Sequence, residues 1–106
     1  MIIKINVKSC IILLLFFKEE NSLFKKIFRR WFELSVYYLN LTPKYEEGIK
    51  HYEVHKENCK WLSKVEDCEE LGDFRDCHGA IKEAKQRYPK WKIDGCKYCS
   101  PECHNL

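Results

Sequence analysis

Two short pairs of soft donors carry the chemistry of this chain. One is His55-x3-Cys59, within His51-Tyr52-Glu53-Val54-His55-Lys56-Glu57-Asn58-Cys59; the other is Cys96-x2-Cys99, preceded by Gly95. A tetrahedral zinc ion takes four thiolate or imidazole donors, and structural sites draw them from two such pairs brought together by the fold. In C-x2-C a tight turn aims two thiolates at one point, leaving nearby amides to donate to the sulfurs, and Gly95 relieves crowding where that turn begins. A lone C-x2-C is shared with redox dithiols. Joined to H-x3-C it points to zinc held by His55, Cys59, Cys96 and Cys99. Pro101 closely follows the second pair and favours a turn, whereas a thiol oxidoreductase opens a helix with its C-x-x-C.

The chain has seven cysteines in 106 residues. Cys77 stands where a helix begins and has three readings: ligand, partner of Cys103, or packed side chain. Cys77, Cys103 and His104 are secondary candidates for the metal, and Cys68 is expected to pack, as free cysteine usually does. Cys96-x2-Cys99-x3-Cys103 matches an iron–sulfur pattern only in part. Residues 59–103 hold six cysteines, so a disulfide-stabilised exported domain is the main alternative, with fifteen pairings open. A catalytic zinc keeps one position open for water. Three thiolates would leave the ion a weak Lewis acid, and no H-E-x-x-H, deaminase or phosphate-loop pattern is present. No enzymatic activity is expected.

The elements that must position these donors follow from periodicity. His51, Glu53 and His55 share one face of an expected strand, Tyr52 and Val54 the other. Glu70 to Phe74 reads as a second short strand. A helix follows, capped by Asp76, with Ala80, Ile81, Ala84 and Tyr88 as its apolar stripe and Pro89 at its end. Upstream, Leu23, Phe24, Ile27, Phe28, Trp31, Leu34, Ser35 and Tyr38 recur at helical spacing, predicting an amphipathic helix from Ser22 to about Asn40. The apolar run from Cys10 to Phe17 is too short to cross a bilayer as a helix and lacks a small-residue cleavage site.

The ligand pattern resembles the Ada-type metal-binding module, a small zinc-binding α/β domain of bacterial alkylation repair. The likeness covers about residues 51–100: His55-x3-Cys59, Leu62, a strand ending at Phe74, an alanine-bearing helix and Cys96-x2-Cys99. It implies a structural zinc scaffold. In that family the first ligand is a cysteine that accepts a methyl group; His55 stands in its place, so methyl transfer is not implied. The ending Gly95-Cys96-Lys97-Tyr98-Cys99…Cys103-His104 is also similar to that of other short bacterial proteins, which implies no activity.

Charge divides the chain. Residues 1–40 carry seven basic and three acidic side chains, residues 41–106 twelve and thirteen, for a net of +3 overall. The expected organisation is an N-terminal arm at 1–41, a linker at 42–48, and a zinc-stabilised α+β domain of short strands plus one helix at 49–106. The arm would pack on the domain, on a protein partner or a second copy through residues 23–38, or on an anionic membrane surface. Lys82, Lys85, Arg87, Lys90, Trp91 and Lys92 mix positive charge with an aromatic ring, as surfaces for nucleic acid do. The expected role is a cytoplasmic binding module; export with membrane association is the alternative.

Overall fold

A computed structural model describes residues 30–105. Of the arm, residues 1–29, including Leu23, Phe24, Ile27 and Phe28 of the 23–38 stripe, lie outside the described residues.

Among the described residues, five strands and the helix that follows the fourth of them make a small α+β fold. β1 is Ser35–Asn40, β2 Lys44–Glu46, β3 Ile49–Lys56, β4 Cys68–Phe74 and β5 Ile93–Gly95; α1 is Cys77–Arg87. Short 3-10 turns cover Leu62–Lys64 and Pro101–Cys103. β1 runs antiparallel to both β3 and β4, β2 antiparallel to β3, and β5 parallel to β3.

The helix expected through Asn40 ends much earlier. Arg30 and Trp31 are helical, Glu33 turns the chain with a positive φ of 53°, and Ser35–Asn40 is strand β1. Ser35-Val36-Tyr37-Tyr38-Leu39 is β-branched and aromatic, the side chains that pleated surfaces favour. Ser35 and Tyr38, placed on the helical stripe by their spacing, therefore sit in the sheet. Residues 42–48, expected as a linker, contain β2 and a hairpin. Glu46 pairs with Ile49, and the two residues between, Glu47 and Gly48, have φ of 51° and 80°. That geometry is a two-residue turn of the kind whose twist matches the strands it joins.

Both sheet faces are covered. Tyr37, Leu39, Tyr52 and Val54 pack with Leu71, Ile93 and the Cys77–Ala80–Ala84 stripe of α1. Val36 and Tyr38 point the other way, into a second cluster with Cys59, Leu62 and Cys96. The helix forms as expected: the Asp76 carboxylate accepts from the amides of His78 and Gly79, satisfying two of the free donors of its first turn. At its far end Arg87 donates to Glu69, to Glu83 and to the carbonyls of Glu70 and Leu71, tying α1 to β4.

Candidate metal centre

The second face of the sheet carries the donors. Alternation along β3 puts His51, Glu53 and His55 together, as the sequence pattern predicts, and all three are buried. Just beyond the strand, Cys59 follows a turn in which its amide donates to the Lys56 carbonyl. On the far side of the chain, β5 lies parallel to β3 with Gly95 opposite Val54. The Cys96 amide donates to the Val54 carbonyl, so the ends of β3 and β5 deliver the two ligand pairs to one place.

One donor atom each from His55, Cys59, Cys96 and Cys99 lies within 4.8 Å of every other. The His55 Nδ1 is 3.6 Å from the Cys59 Sγ, which is 3.9 Å from the Cys96 Sγ. Cys59, Cys96 and Cys99 are free thiols. Residues 55 and 59 are buried with Cys96, while Cys99 is half-buried.

The thiols differ. Burial pushes the Cys59 thiol above its ordinary range. Cys96 is raised by its hydrogen bond to Cys99 and then by burial. Cys99 is lowered, first by that bond from Cys96 and further by the Lys56 amide at 3.3 Å and the Ser100 hydroxyl. Cys99 is thus the sulfur best prepared to be a thiolate before any ion arrives. Backbone amides also aim at the other two: Trp61 at Cys59, Tyr98 and Cys99 at Cys96.

Behind the donors stands Glu53, only 4% exposed. Its Oε1 is 2.9 Å from the Lys44 ammonium and 3.7 Å from the His55 Nε2. At 3.7 Å that carboxylate makes no hydrogen bond to the His55 Nε2 and bears on the ring through its charge alone. Outside, the Trp61 and Tyr98 rings meet at 5.5 Å and join the two ligand loops.

Gly95 does more than relieve a turn. A methyl group there would lie 2.7 Å from the Cys103 Cβ and 2.8 Å from the Ser100 carbonyl oxygen. Backbone on one side and a cross-linked residue on the other leave no room to yield. Gly95→Ala is expected to cost about 2 kcal/mol or more in urea denaturation; an unchanged midpoint would show that the Cys96–Cys103 loop is softer than its contacts imply.

The secondary candidates are used otherwise. Cys77 and Cys103 form a disulfide, and Cys68 is disulfide-bonded too, so neither packing of free thiols nor ligation describes these three. The His104 Nδ1 lies 2.8 Å from the buried Asp94 carboxylate. Of the basic set on and after α1, Lys82, Lys85, Lys90 and Lys92 are exposed. Arg87 is engaged as described above, and Trp91 is stacked between Tyr52 at 3.8 Å and Tyr88 at 3.9 Å, so both of its ring faces are covered.

The sequence reading missed β5 and the Lys44–Glu53 pair, and it left Cys77–Cys103 as one of three open readings for Cys77. Ile93-Asp94-Gly95 is too short to show a period. Lys44 reaches Glu53 only because the hairpin puts it opposite His51.

Fold and site together define a small α+β protein with a Cys/His cluster able to hold a metal ion. Comparison with known protein families, curated proteins and solved structures finds no match to this chain.

Proposed function

We propose that this protein is a small zinc-binding interaction module whose ion is structural. One observation carries the reading: the spacing of the donor atoms. Around a tetrahedral zinc, two sulfurs stand roughly 3.8 Å apart and a sulfur and an imidazole nitrogen roughly 3.6 Å. The separations of 3.9 Å and 3.6 Å at Cys59 agree with both. The division of the cysteines supports it further. Three are thiols beside a histidine, while Cys68, Cys77 and Cys103 are oxidised.

Four protein donors fill a tetrahedral ion, and three thiolates quench its acidity, which favours a scaffold over a catalyst. The likeness to the Ada-type module extends to this scaffold and not to methyl transfer. Disulfides persist where thiols are oxidised and are rare in reducing cytoplasm. Cys77–Cys103 therefore supports the exported alternative over a cytoplasmic location, with the metal protecting the remaining thiols.

Cobalt(II) substitution tests the reading. A thiolate-to-cobalt charge-transfer band is expected to saturate at about one equivalent and to vanish in Cys96→Ser. Absence of the band, or a Cys59–Cys96 disulfide in protein purified without reductant, overturns it.

The exposed Lys82, Lys85, Lys90 and Lys92 favour a second reading, contact of this face with nucleic acid. Such contact must weaken steeply with salt; binding that ignores ionic strength, or none, removes it.

A further inference from the structure

The donors on β3 do not end at His55. The opposite end of the same strand face holds a second cluster: one atom each from Glu46, His51 and Glu53 lies within 4.8 Å of the others. We infer that these three residues form a second cation site, separate from the cysteines, that takes a borderline divalent transition ion such as Zn²⁺, Co²⁺ or Ni²⁺.

The argument begins at His51, whose side chain is completely buried. Its Nδ1 lies 3.4 Å from the carbonyl oxygen of Ile49. A carbonyl only accepts, so that nitrogen carries the proton and Nε2 is left with a lone pair. Nε2 has no hydrogen-bond partner. It faces the Oε2 of Glu53 at 3.7 Å, so an imidazole lone pair and a carboxylate oxygen look at one another across a gap too wide for a hydrogen bond. Something positive belongs between them. Nitrogen and oxygen ligands of one tetrahedral ion stand roughly 3.3–3.5 Å apart, and a modestly wider angle at the ion accommodates the observed spacing.

Glu46 completes the set from β2. Lys44 stands opposite His51 and Glu46 opposite Ile49. Alternation along β2 then puts Glu46 on the face shared by His51 and Glu53. Glu46 is exposed and borders a shallow cleft with Glu47, Ile49 and Asn105, so this member of the set is open to solvent. Lys44 is the natural competitor, but it binds the other carboxylate oxygen, Oε1, and its side chain is about half exposed at 51%. Two carboxylates against one ammonium leave the cluster with one uncompensated negative charge. One imidazole and two carboxylates suit borderline divalent ions better than a soft one.

Protein given one equivalent of zinc, which the thiolates take first, is titrated with cobalt(II) to distinguish this site from the thiolate centre. About one further equivalent is expected to bind with weak d–d absorption and no thiolate charge-transfer band. Glu46→Gln alters an exposed residue and leaves the core intact, and is expected to weaken this uptake roughly 100-fold, at or above the upper end of what loss of an outer-shell partner costs. His51→Ala should abolish it, while each variant prepared metal-free and given a first equivalent of cobalt(II) should still develop the charge-transfer band of the cysteine centre. No further equivalent in the wild type, or undiminished uptake in Glu46→Gln, overturns the inference. Because the readout is independent of sulfur, its failure and failure of the thiolate centre are told apart.

Discussion

Cys96→Ser, or chelation of the ion, is expected to abolish the cooperative thermal unfolding transition. The second cluster consists of Val36, Tyr38, Leu62 and two of the ligands, Cys59 and Cys96. On that face a bound ion would take the place of a larger apolar core. Structural zinc contributes on the order of 10 kcal/mol or more in small domains, comparable with the whole net stability of about 5–15 kcal/mol that domains of this kind have. Circular dichroism melts with chelator, and after adding back zinc, measure this directly. An unchanged midpoint without metal would mean that sheet and helix suffice alone.

Acid should reproduce the loss. Protons compete with the ion for thiolates, so the metal-bound fold gains stability as pH rises and loses it as pH falls. The metal-free fold slopes the other way at two positions. Cys59 and Cys96 have thiols raised above their ordinary values, so their contribution is present below the unfolded thiol range and fades as pH rises through the higher folded values. Cys99 is lowered and opposes them. Melts with and without zinc across the neutral to alkaline range are therefore expected to diverge.

The second large effect belongs to the other face. Cys77–Cys103 joins the first residue of α1 to the last turn across a separation of 26 residues. Closing a loop of that length stabilises by about 3.5 kcal/mol, chiefly through the unfolded chain. A Cys77→Ser/Cys103→Ser double variant should lose about that much in urea at saturating zinc, because the cross-link is then gone and the helix is held by the packing of Ala80, Ile81 and Ala84 and by the Arg87 contacts. A loss under about 1 kcal/mol would place the stabilisation elsewhere.

The parts legible in the sequence were those with local signals. Asp76 and Pro89 bound a helix by capping and by steric exclusion, and strict alternation at 51–55 put the donors on one face before any fold was known. Ser35–Asn40 misled because both of its faces are buried. A strand covered on two sides shows no alternation, and a run of apolar side chains also satisfies helical spacing. The Cys77–Cys103 pair was among the readings open for Cys77, but the sequence had no means of choosing it. Cys77 and Cys103 meet through the docking of α1 against a loop, a long-range event that leaves no mark in either neighbourhood. Glu53 showed its face and, through alternation, its neighbour His51, but not Lys44, which arrives through the hairpin.

The loop from Cys96 to Cys103 holds two ligands and one half of a cross-link. Cys99 and Cys103 are near neighbours along the chain, and either could meet Cys77 while the chain is still open. An ion taken up early works as a chemist's protecting group: with three thiols masked, Cys103 is the partner that this segment can offer. Oxidative refolding with zinc present should then yield one dominant disulfide isomer, and refolding with chelator a scrambled mixture; equal distributions would show that pairing is chosen without the ion.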